Sequence, residues 1–300
     1  DDEFERLQAM VHDGHADEVV AAARQGLATT PYHERYRALL IDALIQLGDV
    51  EGARDQAQFG VSELPGSALL HRLLASALMA GCHWPEAVDA SDTAVRLDPG
   101  GFASLCLAAE TRTALAASLA DRSKEQRSAL QAAAQVAHSA SLRAPTSAEP
   151  HFLSGQIALI GRDWAAAKAA AERGLAIDPD SAHGHAILSE AMLGAGDVPG
   201  AGAHARLAVE REPDRLDFAE LLDHVGPPIW QWSVAGMALF IPIASALDGS
   251  FESWMWVSGL FGASGLAWLK FAPSTREAEA PAALRGRTRR PCRMATAAPL

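Results

Sequence analysis

His183 and His185, in the run "SAHGHAILSE", are the nearest the chain comes to a paired imidazole site. On a helix a two-residue step separates side chains by about 200°, so the two rings cannot face one metal ion. His83 beside Trp84 reads as a surface residue of an inter-helix turn. Cys106 has no His or Asp placed by any motif to withdraw its proton, so a buried neutral thiol is expected there and not a nucleophile. No Gly-rich phosphate loop, G-x-S-x-G or H-E-x-x-H occurs. The reactive residue types therefore lead away from catalysis, and no enzyme activity, cofactor or metal site is expected.

Charge narrows the partners. Residues 1–226 carry 18 Lys+Arg against 33 Asp+Glu, a net of -15, while residues 270–300 carry 7 against 2, a net of +5. A body this acidic repels phosphates, so nucleic acid is not an expected partner. Cys82, Cys106 and Cys292 lie far apart without C-x-x-C spacing, which indicates neither a disulfide framework nor a zinc knuckle and fits a reducing compartment. The opening "DDEFERLQAM" has neither a basic nor an apolar leader region, and no signal peptide is expected in it.

The elements that position these residues are set by a ruler of prolines. Pro31, Pro65 and Pro99 stand 34 residues apart, as do Pro145, Pro179 and Pro213, and the remaining gap of 46 exceeds the period by 12. Twelve residues before each proline comes Val19, Ala53, Ala87, Ala133, Ala167 or Ala201. Eight before it stands Ala23, Ala57, Ser91, Ala137, Ala171 or Ala205, and five before it Gly26, Gly60, Ala94, Ala140, Gly174 or Ala208. Steps of four and three place each set on one helical stripe, small enough for a neighbouring helix to approach closely. Upstream runs such as "RALLIDALIQLGD" supply a second amphipathic helix, which Gly48 or Gly196 ends and after which Asp49 or Asp197 is suited to cap the next. Each unit thus reads as helix, tight turn, helix, proline.

This pattern resembles the tetratricopeptide repeat family, and "HWPEAVDASDTAVRLDPG" and "DWAAAKAAAERGLAIDPDS" carry the likeness most clearly. The fold class implied is all-α: an α-solenoid of six helix pairs at 1–33, 34–67, 68–101, 102–147, 148–181 and 182–215. A capping helix and Pro-Pro linker follow at 216–228. The first unit lacks its opening residue, and the 12-residue excess around "SLADRSKEQRS" is expected to lengthen both helices of the fourth unit and their turn. The resemblance further implies a groove lined by first helices that holds a protein or peptide. Matched columns give its lining as Phe4 and Gln8; Arg35, Ala38 and Asp42; Arg72, Ser76 and Met79; Cys106 and Glu110; Phe152 and Gln156; His183 and Glu190. Phe152 and Met79 would anchor apolar side chains, and Asp42, Glu110 and Glu190 would favour basic ones. The carboxylate clamp of the family's chaperone-binding members needs Lys and Asn; this chain has no Asn, and Lys only at 124, 168 and 270.

Beyond the repeats the composition changes. Residues 229–247 and 251–269 are two apolar runs of 19 residues joined at Asp248-Gly249-Ser250, each long enough to cross a bilayer. Trp230, Trp232 and Trp268 fall at one interface level and Trp254 and Trp256 at the other. A two-helix transmembrane hairpin is expected over 229–271, with a basic, disordered tail at 272–300. Arg and Lys follow the second run and are absent from the connecting turn, which places both termini in the cytoplasm and the chain in the plasma (inner) membrane. The tail's "RGRTRR" is suited to anionic lipid. Ser258 with Gly262, and Gly259 with Ala263, stand at four-residue spacing, permitting close packing within the hairpin or between protomers of a homo-oligomer. The function that follows is a membrane-anchored scaffold; the alternative is a structural or transport-complex subunit that oligomerises through the hairpin.

Overall fold

The computed structural model describes residues 2–12, 14–213 and 215–225. The expected hairpin at 229–271 with Ser258, Gly259, Gly262 and Ala263, the Pro227-Pro228 link and the tail at 272–300 lie outside the described residues. No helix among the described residues is long and apolar enough to cross a membrane.

All secondary structure among the described residues is helical. Ten helices belong to a first unit ending at Ile177: α1 (Asp2–His12), α2 (Ala16–Thr29), α3 (Glu34–Gln46), α4 (Val50–Glu63), α5 (Ala68–Ala80), α6 (Trp84–Leu97), α7 (Phe102–Ser118), α8 (Lys124–Arg143), α9 (Glu149–Gly161) and α10 (Trp164–Ile177). A second unit, beginning at Asp178, holds α11 (Ala182–Gly194), α12 (Val198–Arg211) and α13 (Leu216–Val225).

Within the first unit each odd-numbered helix packs on the even-numbered helix that follows it, and α1, α3, α5, α7 and α9 also pack on one another in turn. The even-numbered helices carry the small columns. Val19, Ala53, Ala87, Ala133 and Ala167, and Ala23, Ala57, Ser91, Ala137 and Ala171, are all 0% exposed. Side chains of this size admit the next helix without a gap, and the apolar contacts made there are the core. Ser91 keeps its hydroxyl satisfied by a 2.9 Å hydrogen bond to Thr111 Oγ1 on α7. In the second unit Ala201, Ala205 and Ala208 pack with Phe218 and Leu221 of α13.

The turns follow one plan. The residue before the cap of each even-numbered helix is left-handed: Gly14, Gly48 and Gly196, but also Cys82, Arg122 and Arg162, whose side chains make that conformation costly. Asp49 accepts from the Gly52 amide and Asp197 from the Gly200 amide, each at 3.0 Å, as N-caps do. In the fourth pair α7 has 17 residues against 13 in α3, α8 has 20 against 14 in α4, and the turn takes five against three. Those increments account for the 12-residue excess. Buried Gln126 closes the longer turn by donating to the Ala116 carbonyl at 3.2 Å and accepting from the Arg122 amide at 2.7 Å.

A further column ties the repeats together. Six residues after its proline, Arg37 Nη2 donates to the Pro31 carbonyl at 2.7 Å and His71 Nε2 to the Pro65 carbonyl at 3.2 Å. His185 makes the corresponding bond to Pro179 in the second unit. In these three places the proline carbonyl accepts from the side chain six residues on.

Candidate functional site

The contiguous odd-numbered helices give the first unit a face on which α1, α3, α5, α7 and α9 each place side chains. Gln8, Arg35 and Asp42 are exposed, and Phe4, Arg72, Met79, Glu110 and Gln156 are partly buried. Phe4 leans on Tyr36 and His33, with ring centroids 4.7 and 5.2 Å away, and the Arg35 guanidinium sits 5.7 Å above its ring. Met79 packs beside Leu78, Ala87 and Leu107 and so contributes to the core as well as to the surface.

Phe152 is a correction to the expected lining. Its side chain is only 7% exposed, because it turns toward α10, where a Cβ on Gly174 would come within 2.2 Å of its ring. Phe152 is a packing residue that fills the space the missing side chain of Gly174 leaves open.

Electrostatics single out three carboxyls of the face, on α3, α7 and α9. Burial pushes Glu110 up to about 7, and the Glu149 carboxyl adds to the rise. Glu149 is itself raised by burial. Cys106, one helical turn from Glu110, is pushed up to about 12 by burial and then by Glu149 and Glu110, so the thiol is protonated at neutral pH and supplies no nucleophile. Asp42 has a solvent-exposed side chain but lies among enough protein to be raised to about 6, with Arg72 opposing the rise. The carboxyls of Asp42, Glu110 and Glu149 form no ion pair or hydrogen bond among the described residues. Glu149 escaped the column matching, although its seven-residue spacing from Gln156 puts both on one side of α9.

In the second unit His183 and Glu190 are partly buried on α11. His183 is pushed down to about 4 by burial and by Arg215, against the pull of Asp217, and is neutral at pH 7. His185 faces another way: its Nδ1 lies 3.1 Å from Nδ1 of His204, and the two rings stack with centroids 5.3 Å apart. No group of three or more His, Cys, Asp or Glu among the described residues is placed to hold a metal ion.

The sequence matches no protein-family model and no curated protein. Solved structures are similar to it. One is TTC0263, a thermophilic TPR protein of Thermus thermophilus, with a TM-score of 0.58 at 22% identity over 64% of this chain and 98% of that one. Another is pilF of Pseudomonas aeruginosa, with a TM-score of 0.51 at 14% identity over 82% of this chain and 99% of that one. At such identities the likeness concerns the fold, which is all-α and of the tetratricopeptide repeat type.

Proposed function

We propose that this chain is a non-enzymatic scaffold that holds a basic protein or peptide segment against its odd-numbered helices, and that residues 229–271 anchor it in the plasma (inner) membrane with both termini cytoplasmic. The observation that carries the reading is the row Asp42, Glu110 and Glu149: three carboxyls raised by their surroundings and lacking an ion-pair partner among the described residues. A partner's Lys or Arg beside them would stabilise the ionised form that burial disfavours. Gln8, Arg35, Arg72, Met79 and Gln156 would flank the bound segment, with Phe4 at one end. His183 and Glu190 are proposed for the same work in the second unit. Support for anchoring comes from the two apolar 19-residue runs and their terminal tryptophans.

Fluorescence anisotropy with a basic and a charge-reversed acidic peptide of the same apolar spacing tests the binding. The basic peptide should bind, and Glu110→Gln with Glu149→Gln should weaken it; equal binding of both peptides would sink the reading. Alkaline carbonate extraction tests the anchor, which predicts that the chain stays in the pellet.

A further inference from the structure

Away from the acidic residues, Arg24 of α2 and Arg37 of α3 border one open surface cavity of about 380 Å³ whose far wall is α4. Arg37 is only 5% exposed, yet its guanidinium meets neutral acceptors alone, Gln56 Oε1 at 3.1 Å and the Pro31 carbonyl at 2.7 Å. It also lies 4.6 Å from the centre of the Phe59 ring. Arg24 is exposed and its guanidinium forms no ion pair or hydrogen bond among the described residues. Among the described residues neither cation has a carboxylate within ion-pair distance, although residues 1–226 carry 33 acidic residues. Leu27, Leu40 and the half-exposed Phe59 make the remaining wall apolar. Glu63 acts on Arg37 only from beyond ion-pair distance; a buried cation balanced so incompletely is costly, and a second cation beside it raises the potential further.

We propose that this cavity binds a single carboxylate carried on an apolar stem. Arg24 meets the carboxylate with its planar fork, Arg37 supplies charge from behind, and Leu27, Leu40 and Phe59 receive the stem. A phosphate dianion is the poorer fit, because the protein's net negative charge repels it twice as strongly while only one guanidinium is free to turn toward it.

The experiment is isothermal titration of the full chain in mild detergent with N-acetylphenylalanine and, separately, with its uncharged amide. The acid is expected to bind about tenfold more tightly than the amide, the worth of one charge-assisted hydrogen bond. Arg24→Gln should weaken the acid by about the same factor and leave the amide unchanged. Phe59→Ala should weaken both, and Arg206→Gln on α12 should change neither. Acid and amide binding alike, an Arg24→Gln protein that binds the acid as before, or no binding of the acid at about 10 mM would each overturn the proposal.

Discussion

The Arg37 guanidinium donates to the carbonyl oxygen of Pro31 at 2.7 Å, so the residue that ends one repeat is held by the first helix of the next. Arg37 also reaches Gln56 on α4 and covers the Phe59 ring, which makes it a three-way tie among a turn and two helices. Arg37→Ala removes these bonds together with the packing of its stem and should cost about 2 kcal/mol in urea unfolding. Arg37→Met restores the stem and should recover part of that loss.

Phe152 and Gly174 form a second tie. Gly174→Ala places a methyl inside the Phe152 ring contact and should destabilise the chain by about 1–3 kcal/mol, as overpacking does. Combined with Phe152→Leu the cost should fall below the sum of the two single changes, which a double-mutant cycle of thermal unfolding reads directly.

The left-handed turns give a pair of opposite outcomes. Arg162 adopts φ of 60° where Gly48 adopts 77°, so Arg162→Gly should stabilise by about 1 kcal/mol. A Cβ at Gly48 would meet nothing within 4 Å; Gly48→Ala should therefore cost about 1 kcal/mol from backbone conformation alone. Chemical denaturation of both variants checks the sign.

Much of the repeat-type fold was legible because its signals are local. A proline, small residues one helical turn apart and a Gly-Asp turn each act within a few residues. The left-handed turns at Cys82, Arg122 and Arg162 were hidden, since those residue types do not announce a positive φ. Phe152 was misplaced because its column faces outward in the resemblance, and only the glycine at position 174 hinted that a ring could turn inward. Glu149 was passed over because it stands outside that column, while the tie from Arg37 to Pro31 was hidden because the position six residues after the proline varies in type, from Arg37 to His71 and His185. Asp42 and Glu110 were named from their columns, but their raised proton affinity depends on neighbours that only packing brings near.

Glu110 sets a pH dependence. Its folded value of about 7 stands above the ordinary 4.5, so between those limits the native state holds a proton that the unfolded chain has released. Stability should fall as pH rises through that window and level off above it. Asp42, raised to about 6, acts in the same direction. Glu110→Gln should flatten the fall, measured as the urea midpoint from pH 5 to about 8.

The central claim is that the odd-numbered helices hold a partner. In-cell photocrosslinking tests it most directly, with the crosslinker at Asp42 on that face and, as a control, at exposed Gln58 on α4. The account predicts a defined polypeptide adduct from position 42, lost when Glu110 and Glu149 are both changed to Arg, and none from position 58. Adducts of equal yield from both positions, indifferent to those charge reversals, would contradict it.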